Sequence, residues 1–310
     1  MTTSTARVIE TEGLTKAYGR TRALSSLDLR VERGEIFGYL GPNGAGKTTT
    51  LRLLMGLLKP TSGRARVLGL DAWRYAVAVH RAVGYLPGEP ALYGRMSGAE
   101  HVAYFRALRR DGDGARAKAL ADRLDLDLAR PARALSKGNR QKLAIVLALM
   151  SGPELLILDE PTSGLDPIVQ QEFHRLLREH TASGGSVLLS SHALAEVQRI
   201  ADRIGILRAG RLIAVERIDE LRAKSLHHIR VRFDEPVERR EFLGIPGVQQ
   251  LAVADRTLHC SAPRDSLDAL LKRISRHSVD DLECTEAELE ETFLAYYGPA
   301  AIEGGATDAA

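Results

Sequence analysis

The sequence predicts an α/β fold followed by a small α+β domain, and three observations carry that prediction. A glycine-rich loop, Gly41–Thr48, stands between an apolar run and a helical stripe. A second run, Leu155–Leu158, is four consecutive aliphatic residues ending in two acids, the pattern of a parallel strand buried on both faces. Beyond residue 217 the periodicity restarts as strand, helix, strand, strand, helix, strand, the order of a ferredoxin-like unit.

Composition supports two domains. At 310 residues the chain exceeds one typical domain, and 44% hydrophobic residues supply the cores. Only 5% are aromatic, so packing rests on aliphatic side chains. Lys plus Arg number 43 against 40 Asp plus Glu, and a net charge of +3 does not mark a nucleic-acid binder driven by bulk charge. No apolar run approaches the roughly 18 residues a membrane helix needs. The longest candidate, Leu143 to Leu158, is interrupted by Ser-Gly-Pro-Glu at 151–154. The opening Met-Thr-Thr-Ser-Thr-Ala-Arg lacks an apolar signal core, which places the chain in the cytoplasm. Cys260 and Cys284 have no C-x-x-C spacing and read as buried structural thiols.

In chain order, residues 7–33 alternate apolar and polar positions, predicting an antiparallel opening with Tyr18 in a turn between strands. Glu35–Leu40 reads as a buried strand, and Leu51, Leu54, Met55 and Leu58 form one face of the helix after the loop. A turn at 59–63 leads to a strand at 64–68, and Val83–Leu86 is a strand entering the breaker-rich Pro87–Pro90. Residues 97–128 turn helical, with a Gly-Asp-Gly break at 112–114, so a helical subdomain occupies about 90–150. Leu135–Gln141 opens another apolar helix, with Ser136 placed to cap it. After the Leu155–Leu158 strand come a turn at 161–167, a helix at 168–180, a strand at 187–190 ending in Ser191-His192, a helix at 193–203 and a closing hairpin around 208–211.

Chemistry concentrates at few positions. Gly41, Pro42, Asn43, Gly44, Ala45, Gly46, Lys47 and Thr48 fit the phosphate-loop pattern G-x-x-x-x-G-K-[ST] at every fixed position. Its glycines let backbone N–H groups approach phosphate oxygens, Lys47 supplies a mobile charge, and the Thr48 hydroxyl suits a magnesium ion. Asp159 and Glu160 end a dry strand, where unpaired carboxylates cost several kcal/mol. A magnesium nucleotide explains both: Asp159 holds the ion's water shell and Glu160 activates a water. His192 admits a structural and a ligand-sensing reading, and it falls at the strand edge where ligands collect in open α/β sheets. Tyr18 likewise admits packing or stacking on a purine.

Taken together, Tyr18, Gly41 to Thr49, Leu135 to Gln141, Leu155 to Pro167 and His192 resemble the nucleotide-binding subunit of an ATP-binding cassette transporter over roughly the first 215 residues. The resemblance implies a P-loop ATPase with an antiparallel β subdomain, a helical subdomain, and ATP and Mg²⁺ as cofactors. It implies that Tyr18 stacks on adenine and that Gly41 to Thr49 is the Walker A loop. Asp159 becomes the Walker B aspartate, Glu160 the catalytic base, Asp166 the D-loop aspartate and His192 the switch histidine. Ser136 and Gly138 belong to the signature segment, which caps the ATP of a second copy in a head-to-tail dimer. Two departures stand out: Lys137 and Asn139 replace signature residues, and Gly88 replaces the glutamine that links magnesium to the membrane subunit, leaving adjacent Glu89 as the candidate ligand.

The expected organisation is a nucleotide-binding domain at 1–217, an accessory domain at 218–298 and a disordered tail at 299–310. Thr285 and Glu288 form a capping-box pair for a final helix. His227-His228 reads as a solvated linker, because adjacent strand residues face opposite ways. The resemblance, including Leu-Glu-Glu-Thr-Phe-Leu at 289–294, implies an ATPase subunit on the cytoplasmic face of the membrane, driving an integral permease that exports a hydrophobic drug or antibiotic. The alternatives are a soluble cassette ATPase on ribosome or DNA and an importer subunit.

Overall fold

The computed structural model describes residues 7–109, 114–223 and 226–286. These fall into two compact units that divide between Glu216 and Arg217. The final helix with its Glu288 cap, the 289–294 segment and the tail at 299–310 lie outside the described residues.

The first unit begins with three antiparallel strands, β1 (Arg7–Tyr18), β2 (Thr21–Leu27) and β3 (Arg30–Glu32). Strand β4 (Ile36–Leu40) is buried throughout and leads through the phosphate loop into α1 (Lys47–Leu54). Next come β5 (Ser62–Val67), β6 (Leu70–Asp71), α2 (Ala76–Ala82) and β7 (Val83–Leu86). The helical segment supplies α3 (Gly98–Arg109), α4 (Ala115–Arg123) and α5 (Lys137–Leu149). The chain then returns to β8 (Leu155–Asp159), α6 (Pro167–Ala182), β9 (Ser186–Ser191), α7 (Leu194–Val197), β10 (Arg203–Arg208) and β11 (Arg211–Arg217).

Two sheets organise this unit. One runs β2-β1-β5-β6 with β3 also paired to β1, and the other runs β11-β10-β4-β9-β8-β7. In the second, β4, β7, β8, β9 and β10 are parallel. All four residues of Leu155–Leu158 are fully buried, each contributing about 1.5–3 kcal/mol of transfer free energy. The core between the sheets includes Phe37, Tyr39, Leu51, Ile157, Leu188 and Leu207. The Tyr39 hydroxyl shares a hydrogen bond with Thr50 at 3.1 Å, and burial raises its pKa.

The helix expected at 193–203 is only Leu194–Val197. Asp202 explains the early stop: its N–H donates to the Ile36 carbonyl at 2.9 Å and its carboxylate accepts from the Ile36 N–H at 2.8 Å. That pair draws the chain back to β4 and out of helical geometry.

The second unit opens with α8 (Ile218–Ala223), then β12 (Leu226–Phe233), β13 (Gln249–Ala254), β14 (Thr257–Pro263), α9 (Leu267–Ile274) and β15 (Val279–Glu286). Its sheet order is β13-β14-β12-β15, with every adjacent pair antiparallel. Ile229, Val231 and Phe233 face the core while Arg230 and Arg232 face out, the period-2 pattern of a half-buried strand. The helix expected between the first two strands of this unit is a single 3₁₀ turn, Arg239–Phe242, closed by a capping box between Glu238 and Glu241. Pro236 before it and Gly244 after it leave too few residues for a stable α-helix.

Three smaller expectations are corrected here. His227 and His228 are half-buried in β12 rather than in a solvated linker, and His228 Nδ1 lies 3.1 Å from the Ser261 hydroxyl. Cys260 is buried but Cys284 is exposed, because it lies on edge strand β15. Thr285 lies within β15.

Candidate active site

Parallel strands deliver their carboxyl ends to one edge, and the chemistry gathers there. Leu40 at the end of β4 pairs with Ser191 of β9, and Asp159 at the end of β8 pairs with Ser190. The phosphate loop after β4, the acids after β8 and His192 after β9 thus become neighbours, although about 110 to 150 residues separate the loop from the others.

The loop is backed closely on two sides. A Cβ on Gly41 would meet the Leu207 carbonyl oxygen at 2.4 Å, and one on Gly46 would meet the Ala23 carbonyl oxygen at 2.5 Å. Gly46 also has φ +109°, open to glycine and strained for other residues. Asn43 and Gly44 are exposed, Pro42 and Thr49 are half-buried, and Ala45 is buried with its carbonyl accepting from the Gly210 N–H at 3.0 Å.

Lys47 is only 6% exposed. Its ammonium donates to the Gly41 carbonyl at 2.5 Å and reaches Glu160 Oε1 at 3.4 Å. The other carboxylate oxygen, Glu160 Oε2, lies 2.9 Å from His192 Nδ1. Glu160 itself takes φ +47°, a left-handed conformation that costs a non-glycine residue about 1–2 kcal/mol. Ser190 holds it there, accepting the Glu160 N–H at its carbonyl and hydroxyl oxygens at 3.2 and 3.1 Å.

Asp159 is 2% exposed. Its Oδ1 accepts from the Ser190 hydroxyl at 2.6 Å and its Oδ2 from the Thr48 hydroxyl at 2.8 Å. Among the described residues no lysine or arginine forms an ion pair with this buried carboxylate. Two hydroxyls without a counter-charge leave a buried anion under-compensated, so the pair Thr48 and Asp159 fits a divalent cation. Gly88 faces the same carboxylate, since a Cβ there would stand 3.4 Å from Asp159 Oδ2. Glu89 is exposed in the adjoining bend.

The signature segment lies in a different part of the unit. Ser136 caps α5 by accepting the Asn139 N–H at 3.2 Å. Gly138 abuts the loop after β8: a Cβ there would sit 2.7 Å from the Gly164 carbonyl oxygen. Gln141 reinforces that contact by donating from Nε2 to the Pro161 carbonyl at 2.9 Å. Asp166 caps α6, accepting from the Ile168 and Val169 N–H groups at 3.1 and 3.0 Å, and the Val169 bond leads in lowering its pKa. Tyr18 is half-exposed at the β1–β2 hairpin, with the Lys16 ammonium 5.1 Å from its ring centre.

A family model described as ABC transporter matches residues 24–163. The daunorubicin resistance ATP-binding protein DrrA3 of Streptomyces coeruleorubidus is 43% identical over 223 residues, covering 70% of each chain. The chain belongs to the ABC transporter family. Across its full length it is similar to the daunorubicin/doxorubicin resistance ATP-binding protein DrrA of Streptomyces peucetius, with 33% identity over 328 aligned positions and 98% of that protein covered. A solved ATP-binding subunit of an ABC transporter superposes with a TM-score of 0.65 at 31% identity, covering 69% of this chain and 92% of that one. As an ABC ATPase the protein hydrolyses ATP, and its fold is that of the P-loop nucleotide-binding cassettes.

The sequence reading missed Ser190. Its signal was a polar pair, Ser190-Ser191, ending the apolar run Val187–Leu189. The abutment of Gly138 on Gly164 had no signal, because it depends on how α5 meets the loop after β8.

Proposed function

We propose that two copies of this chain form a head-to-tail dimer that energises a separate membrane permease exporting a hydrophobic, drug-like or antibiotic compound. The observation that carries the reading is the convergence of Lys47, Thr48, Asp159, Glu160 and His192 at one sheet edge, while Ser136 is used elsewhere as the cap of α5. In this reading another copy's Ser136 and Gly138 close the phosphate cradle.

In this reading the loop N–H groups and Lys47 hold the nucleotide phosphates, and Tyr18 stacks on adenine. Thr48 and Asp159 hold Mg²⁺, which when bound neutralises charge on the phosphates. Glu160 takes the proton of the attacking water at its carboxylate, and His192, already hydrogen-bonded to it, orients that carboxylate and senses the γ-phosphate. Ser136 and Gly138 cap the partner's nucleotide, with Asp166 beside the shared boundary. A cleft of about 550 Å³ lined by Leu57, Tyr85, Pro87, Phe105 and Leu108 adjoins Gly88 and Glu89 and suits a membrane-subunit helix. The subunit then works peripherally on the cytoplasmic face beside its permease; no helix among the described residues is long and apolar enough to cross a membrane. The accessory domain is ferredoxin-like, a reading supported by the β13-β14-β12-β15 order among the described residues, and Glu89 links the site to the permease where Gly88 does not.

Glu160→Gln tests the chemical centre. Loss of hydrolysis by about 10²–10⁴-fold with ATP affinity kept within about threefold is expected; turnover near wild type removes Glu160 as the base.

A further inference from the structure

Arg123, the last residue of α4, pairs with two acids of α6. Its Nε reaches Glu172 at 2.6 Å, and its Nη1 and Nη2 grip Glu179 at 2.5 and 2.8 Å. Both acids lie on α6, seven residues apart, so one guanidinium spans two helical turns. These contacts raise the Arg123 pKa and lower that of Glu179, with the Arg123–Glu179 hydrogen bond leading in both.

The helices it joins lead to the two halves of the proposed nucleotide site. Helix α4 is fastened to α5 at both ends: Arg116 Nε donates to the Leu149 carbonyl at 3.2 Å, and Lys142 Nζ donates to the Asp125 carbonyl at 3.3 Å. The N-terminus of α5 carries Ser136 and Gly138. Helix α6 begins at Pro167, capped by Asp166, directly after the loop that follows Asp159 and Glu160. Gln141 ties α5 to the start of that loop, and Arg123 ties α4 to the body of α6. The two links close a ring through α4, α5, the loop and α6. Without Arg123, α4 loses its hold on α6, and the end of α5 that carries Ser136 is held against the loop by the Gly138–Gly164 and Gln141–Pro161 contacts.

We propose that Arg123 is a positioning residue: by bridging Glu172 and Glu179 it fixes the signature segment relative to the α6 arm, in the orientation that meets the ATP bound by a second copy. This inference rests on the dimer reading above. A bidentate guanidinium–carboxylate pair is directional in a way a lysine cannot reproduce, which makes the contact specific even at the surface.

The test uses the full chain in a Glu160→Gln background and measures the dimer dissociation constant at saturating Mg-ATP by sedimentation. Alongside it, fluorescent-nucleotide affinity is measured at protein concentrations where the chain is monomeric. Arg123→Ala is expected to weaken the dimer about tenfold or more while nucleotide affinity of the monomer stays within about twofold. Arg123→Glu combined with Glu172→Arg and Glu179→Arg is expected to recover most of the loss, and Arg123→Lys to recover part. Failure of Glu160→Gln alone to dimerise with ATP refutes the dimer reading. A dimer that forms normally in Arg123→Ala overturns the positioning role, as does a loss of monomer nucleotide affinity equal to the loss in dimerisation, since that pattern marks general damage to the fold. Weakening that the charge swap of all three residues leaves unrepaired also overturns it.

Discussion

Gly138→Ala is the most instructive perturbation, because two effects oppose each other and the structure decides between them. Alanine inside a helix gains about 0.5–1 kcal/mol over glycine through reduced backbone entropy in the unfolded chain. Against this, the new methyl would lie 2.7 Å from the Gly164 carbonyl oxygen. Ordinary contact begins near 3.4 Å, so the overlap is 3.4 − 2.7, about 0.7 Å. The obstacle is backbone in a loop where Gly164 has φ +78°, and it cannot swing aside as a side-chain tip would. Overpacking of this kind costs about 1–3 kcal/mol, so the net stability change is a loss of about 0–2.5 kcal/mol. Function is expected to suffer more than stability. A shift of roughly 0.7 Å in either α5 or the loop after Glu160 moves one wall of the site, and displacements near 1 Å cost on the order of a hundredfold in rate. ATPase assays paired with thermal unfolding are expected to show turnover falling at least tenfold while the midpoint drops by only a few degrees. Turnover within twofold of wild type would refute the argument that Gly138 is dictated by close approach to Gly164.

Two further outcomes follow from the titrating groups. Burial pushes the Cys260 thiol up to about 11, whereas Cys284 is exposed; at pH 8 a thiol reagent is expected to add one label per native chain, at Cys284, and a second only after denaturation. Equal labelling rates would contradict the strand placement. Burial also lowers the pKa of His180 and His174 below the ordinary 6.5, so between pH 6.5 and the folded pKa values the unfolded chain binds more protons. Stability contributed by these neutral rings is complete above pH 6.5 and is lost as the pH falls below it. The unfolding midpoint is therefore expected to drop between pH 7.5 and 5.5, with a shallower slope in His180→Asn; an unchanged slope removes His180 as a contributor.

Much of the catalytic edge was legible in the sequence because its chemistry tolerates few substitutes. Gly41 to Thr48 must expose N–H groups, and Asp159 and Glu160 are acids where a dry strand ends. The parallel order of the sheet followed from Leu155–Leu158 and Val187–Leu189, which lack the alternation of a half-solvated strand. What the sequence hid was set by long-range geometry. The left-handed φ of Glu160 depends on Ser190 from a neighbouring strand, and the Arg123 bridge joins residues 49 and 56 positions apart. Local competition hid the rest: Asp202 shortened α7 by pairing with Ile36, and Pro236 and Gly244 reduced an expected helix to one turn. Tyr18 and Glu89 remain positions whose roles come from the family resemblance, since neither touches the Lys47, Asp159 and Glu160 cluster within the described residues.

If each nucleotide site is shared between two copies, mixing two defective variants restores an activity that neither has alone. Lys47→Ala removes the phosphate-binding charge, and Ser136→Glu places an anion where the partner's phosphate would lie, so each is expected to be inactive alone. A mixed head-to-tail dimer contains one site in which both Lys47 and Ser136 are intact. With random pairing, half the dimers are mixed and each has one of two sites whole, so ATPase activity of about a quarter of wild type is expected. If each chain instead builds its whole site by itself, mixing restores nothing, and activity no higher than that of either variant alone means that the site is not shared.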